Sequence, residues 1–137
     1  MYQYHSDEHF AAVKHEDIAK LLRSMGALGN LRGFDYIVFI IYRILQQPNE
    51  TYWVTKQAYP EAARFFQVTP GSVERSVRTV IRTIWDKYDH SDLDRVAGRR
   101  VEDIPTNGEF FDILAAYLSY GSFPRNEKYL HYWTLNS

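Results

Sequence analysis

The chain has 137 residues, with 16 basic against 17 acidic side chains, a formal net charge of −1 and no cysteine. That length suits one domain with a real core, and the lack of cysteine excludes both a disulfide framework and a thiolate zinc site. A charge so near zero argues against indiscriminate nucleic-acid binding over the whole surface, so any such function must rest on how the charge is distributed.

Residues 1–14 are polar, rich in tyrosine and histidine and without a sustained period; they read as an N-terminal arm. No basic start leads into an apolar signal stretch, and the longest apolar run, residues 37–42, is far too short to cross a bilayer. A cytoplasmic protein with no membrane partner is expected. Ile18, Leu21, Leu22 and Met25 recur at helical spacing and predict a first helix over 15–25, stopped by Gly26 and Gly29. In a second helix, over 33–46, Phe34, Ile37, Val38, Ile40, Ile41, Ile44 and Leu45 cover so much of the circumference that other elements must enclose it. Pro48 and Asn49 end it, residues 52–57 read as a connector or short turn, and Pro60 opens the next helix.

That third helix carries Ala62 and Ala63, small enough to let another helix approach closely, and Gln67 and Val68 make the turn that follows. Thr69 before Pro70 is a helix start: the hydroxyl caps free N–H groups and the ring is preset for the first turn. From there to about residue 87, Val73, Val77, Ile81 and Ile84 share one face and Arg75, Arg78 and Arg82 the other. The pair reads as a helix-turn-helix whose second helix offers guanidinium groups outward. A guanidinium can donate two hydrogen bonds to guanine O6 and N7 or clamp a phosphate; the bland alternative is a solvated basic face. Charge distribution sharpens the point. From Arg64 to Arg82 four arginines face the single Glu74, whereas from Asp86 to Asp112 eight acidic residues outnumber four basic ones, which predicts a positive patch beside a negative one.

Further on, Ser91 ahead of Asp92, Leu93 and Asp94 suggests a short helix capped by that serine, with the carboxylates at its positive end and Gly98 closing it. Thr106 and Glu109, just after Pro105, have the spacing of a capping box. They start a last helix with Phe110, Ile113, Leu114, Tyr117 and Leu118 as its apolar stripe and Gly121 as its end. Residues 122–137 form an aromatic tail with Tyr129, Tyr132 and Trp133, suited to folding back or to docking on a second copy. The expected architecture is all-α: a single compact domain of about six helices over 15–121, containing a helix-turn-helix.

Several of these pieces together resemble the C-terminal DNA-binding domain of the stage zero sporulation protein A family. They are Leu31-Arg32-Gly33-Phe34, Thr55-Lys56, Tyr59-Pro60-Glu61-Ala62-Ala63, the segment Ser72-Val73-Glu74-Arg75-Ser76-Val77-Arg78, Trp85 and Pro105-Thr106-Asn107-Gly108-Glu109-Phe110, in register over residues 17–120. The resemblance implies a six-helix regulator domain from endospore-forming bacteria that binds short, often tandem promoter elements and contacts the sigma subunit of RNA polymerase. It implies DNA contact at Glu74, Arg75 and Arg78; the next such position, usually histidine in the family, is Thr79 here. Segment 88–100, where the family contacts sigma factor, diverges. The receiver domain that usually precedes this domain has no counterpart in residues 1–17.

The expectation is sequence-specific binding of double-stranded DNA by a transcription regulator, with helix 70–87 in the major groove and a homodimer forming on tandem sites. Glu74, Arg75, Arg78 and Thr79 are assigned to base edges; Ser72 and Arg82 are assigned to phosphates, against a plain capping role for Ser72 and a surface charge for Arg82. Glu74 either accepts from a cytosine amino group or orients an arginine. A second reading keeps the same fold as a protein-interaction module with DNA binding weakened or lost. His5 and His9 stand near Asp7, Glu8 and His15, but on an arm without preformed geometry they are not assigned as a metal site. With no phosphate loop, nucleophile elbow or catalytic carboxylate pair, neither a cofactor nor an enzymatic activity is expected.

Overall fold

The computed structural model describes residues 13–47, 54–87 and 89–120; the expectations for the arm before residue 13, for Pro48 and Asn49, for Gly121 and for the aromatic tail lie outside them. Six α-helices make up the described fold: α1 (His15–Ser24), α2 (Arg32–Leu45), α3 (Tyr59–Phe66), α4 (Pro70–Trp85), α5 (Ser91–Ala97) and α6 (Asn107–Tyr120). Among the described residues there is no strand. The architecture is all-α, as the apolar periodicities predict.

Helix α2 is the hub. Gly33, Phe34, Tyr36, Ile37, Ile40, Ile41, Ile44 and Leu45 are all buried, and the helix packs against α1, α3, α4 and α6. Helix α1 lays Ile18, Leu21 and Leu22 on it, with His15 stacked on Tyr42 at a ring separation of 3.8 Å. Gly26, at φ 98°, then turns the chain out of α1 in a conformation that suits glycine. Where the sequence suggests a connector or short turn, residues Val54–Ala58 form a π-helical turn running straight into α3. Ala58 itself is helical at φ −65° and ψ −49°, so nothing breaks the rod before Tyr59.

Ala62 and Ala63 are buried between α3 and α4. Gln67 adopts left-handed geometry (φ 60°) and the Val68 N–H bonds back to the Ala63 carbonyl, which together make the sharp turn. The side chain of Thr69 accepts from the Ser72 N–H at 3.1 Å, so the expected cap is in place. Gly33 brings α2 against α4 so closely that a Cβ there would lie 2.1 Å from the Ser76 carbonyl oxygen. Val73, Val77, Val80, Ile81 and Ile84 seat α4 on α2, α3 and α6, which fixes its outer face.

One local expectation needs correcting. Ser91 is not the cap of α5: His90 occupies that place with left-handed geometry, its ring stacked on Trp85 at 3.7 Å, and it is Asp89 that accepts the Ser91 N–H. Of the eight acidic residues between Asp86 and Asp112, six stay exposed and two are withdrawn from the surface or half-buried. Asp112 is buried, Asp94 is spent on the Val101 N–H at 2.9 Å, and Asp92 pairs with Arg95. The capping box of α6 is complete, with Glu109 accepting from the Thr106 N–H and Thr106 accepting from the Glu109 N–H.

Candidate nucleic-acid interface

The 16-residue helix α4 presents Arg75, Arg78 and Arg82 on its exposed side, opposite the buried valines and isoleucines. Arg75 lies back over the first turn, where Gly71 leaves room: a Cβ on that glycine would sit 3.3 Å from Arg75 Nη1. Arg75 and Arg82 form no ion pair among the described residues. Arg78 does pair, with Glu74 one turn earlier, on a face where its side chain is still 52% exposed. All three guanidinium groups therefore stay within reach of a large ligand, but one is already partnered.

Thr79 is exposed and sits between the arginines. Its hydroxyl donates to the Arg75 carbonyl at 3.1 Å, and Thr83 does the same to Thr79. The donated proton leaves the Thr79 hydroxyl oxygen free to accept from outside the helix. Ser72 is half-buried in the first turn, its N–H committed to the Thr69 cap. Arg75, Arg78, Thr79, Arg82, Thr83 and Asp86 line one shallow depression of about 440 Å³ along the helix. Of the residues assigned from sequence, Arg75, Arg78, Thr79 and Arg82 share this depression; Ser72 and Glu74 do not line it.

A second, larger cleft of about 580 Å³, with no signature in the sequence, flanks the same helix. Arg78, Arg82, Glu74 and Gly71 form one wall; residues 104–108, at the entry to α6, form the other, with Tyr59 at its base. Asn107 joins the walls. Its buried amide donates to the Tyr59 hydroxyl at 2.9 Å and to the Glu74 carbonyl at 3.1 Å, tying the starts of α3 and α6 to the first turns of α4. Burial raises the Tyr59 hydroxyl above its ordinary pKa, against the opposing effects of the Asn107 hydrogen bond and the Arg78 charge. The capping-box spacing reveals Asn107 as part of a helix start. Its reach across 48 positions to Tyr59 has no local signal.

A helix-turn-helix whose second helix is anchored on three others and turns a row of arginines outward defines a class, that of DNA-binding transcription regulators. Residues 18–118 match the family described as sporulation initiation factor Spo0A C terminal, and the chain belongs to that family. It is a family of DNA-binding effector domains, not of enzymes. Among the described residues no helix is long and apolar enough to cross a membrane, and no group of three or more metal-ligating side chains is assembled.

Proposed function

We propose that this chain binds specific double-stranded promoter sequences by laying α4 in the major groove. The observation that carries the reading is the alignment of Arg75, Arg78 and Thr79 on the outer face of a helix whose other side is fixed in the core. Arg75 and Arg78 are the candidates for bidentate contact with guanine, and the Thr79 methyl suits contact with a thymine methyl. Arg82, a turn further on, meets the phosphate backbone as the groove curves away from the helix. Ser72 supplies a hydroxyl to a phosphate beside the α4 N-terminus, where the helix dipole favours negative charge. A homodimer on tandem sites and contact with the RNA polymerase sigma subunit belong to this reading through the family resemblance alone.

The assay is an electrophoretic shift with random duplexes followed by sequencing of the bound fraction. A short consensus, with affinity that falls as salt rises, is the expected result. No consensus, together with retention that does not respond to salt, contradicts it. The protein-interaction reading draws on a different surface. Phe65 is 67% exposed and forms a cluster with Phe39 and Phe66, ring centroids 4.9 to 5.7 Å apart, on the far end of α3. That reading predicts a stable protein complex from a chain that ignores every duplex.

A further inference from the structure

The pairing of Arg78 with Glu74 has a consequence beyond base contact, and it rests on the DNA-binding reading above. Glu74 is the only acidic residue between Arg64 and Arg82 and lies on the side of α4 that lines the larger cleft. Its backbone is fixed, because the Asn107 amide holds its carbonyl, and its half-buried carboxylate stands one helical turn before Arg78, within ion-pairing reach. A duplex of the wrong sequence offers α4 mostly phosphate. To use Arg78 on a phosphate, the complex would have to bring the Glu74 carboxylate close to a second negative charge, which a neutral base edge does not carry.

We propose that Glu74 is a specificity-determining residue that withholds Arg78 from the phosphate backbone and releases it only to a base edge. At a cognate step the cost is avoided, since guanine O6 and N7 accept from the far side of the guanidinium while the carboxylate keeps its near side or accepts from an adjacent cytosine amino group. Sequence discrimination then comes partly from a repulsive element built into the recognition helix, not from attraction alone.

The test compares wild type, Glu74→Gln, Arg78→Ala and the double variant on two duplexes, the selected sequence and a scrambled one of equal length, over a range of salt. Circular dichroism checks that each variant is folded. Glu74→Gln is expected to bind the scrambled duplex about three- to tenfold more tightly, with the slope of log K against log salt steeper by about 0.9, one further phosphate contact. Its discrimination between the duplexes falls accordingly, and the gain on scrambled DNA disappears in the double variant. Glu74→Gln that loses affinity for the selected duplex with no gain on the scrambled one overturns the proposal and leaves Glu74 a base acceptor only. A gain that persists without Arg78 overturns it too, because it then reflects lost negative charge in general. If wild type binds neither duplex, the DNA-binding reading fails first and the proposal falls with it.

Discussion

Replacing Gly33 by alanine should push the recognition helix off its seat. A methyl group at Gly33 would lie 2.1 Å from the Ser76 carbonyl oxygen, 2.6 Å from the Ser76 carbonyl carbon and 2.8 Å from Val80 Cγ2. Two of those atoms are backbone of α4, so no rotamer change relieves the clash; α2 and α4 must part by about 1 Å to restore ordinary contact. Alanine in a helix interior would otherwise gain about 1 kcal/mol over glycine, while forced separation of packed helices costs about 1–3 kcal/mol and more against rigid backbone. The net loss should be on the order of 2 kcal/mol, or roughly 6–10 °C in Tm for a domain of this size. Gly29→Ala is the control, because nothing lies within 4 Å of a Cβ there. Urea and thermal unfolding followed by circular dichroism read both variants. Equal stability of the two would refute the claim that a close α2–α4 crossing at Gly33 positions the recognition helix.

Other perturbations probe the rest of the scaffold. Asn107→Ala removes the hydrogen bonds to the Tyr59 hydroxyl and the Glu74 carbonyl; a loss of about 1–3 kcal/mol in urea unfolding is expected, with weaker binding of the selected duplex in titrations of the folded variant. Thr69→Ala deletes the cap of α4 and should cost about 1 kcal/mol, whereas Thr69→Ser should cost far less. Burial is the largest cause that pushes the Asp112 carboxyl from 3.8 up to about 8, with Arg99 opposing and Glu109 adding to it. The folded state therefore holds a proton the unfolded chain has released, and stability falls as pH rises from about 4 to about 8, by at most about 1.4 kcal/mol per unit. Asp112→Asn should flatten that slope and stabilise the protein at pH 8; unfolding midpoints at pH 5 and pH 8 that move in parallel for both proteins would contradict it.

Periodic and local features were legible in the sequence. Six helices, the cap at Thr69, the capping box at Thr106 and Glu109 and the opposed faces of α4 all follow from interactions within one or two turns, where side-chain chemistry and spacing decide the outcome. What the sequence hid was either a departure from α-helical winding or a contact between distant segments. The turn at Val54–Ala58 carries no proline or glycine to announce or exclude a π-helical path. His90, not Ser91, heads α5 because its ring stacks on Trp85 at the end of the preceding helix, so the chain must turn sharply there. Asp112 looks like one more surface acid until α6 is docked and its Oδ1 proves buried with no hydrogen-bond partner among the described residues. In the candidate site, the arginine face was visible from spacing, but the ion pair of Arg78 and the wall contributed by residues 104–108 depend on rotamers and on packing.

The most direct test of the central claim is methylation interference on the selected duplex. A methyl group on guanine N7 blocks the acceptor that a bidentate arginine needs, so methylation at particular guanines should abolish binding by the wild type. Arg78→Ala should become indifferent to methylation at one of those guanines and Arg75→Ala at another, each with about 1–3 kcal/mol less affinity for the unmodified site. Binding that is undisturbed by methylation of every guanine within the protected region would contradict major-groove readout by α4.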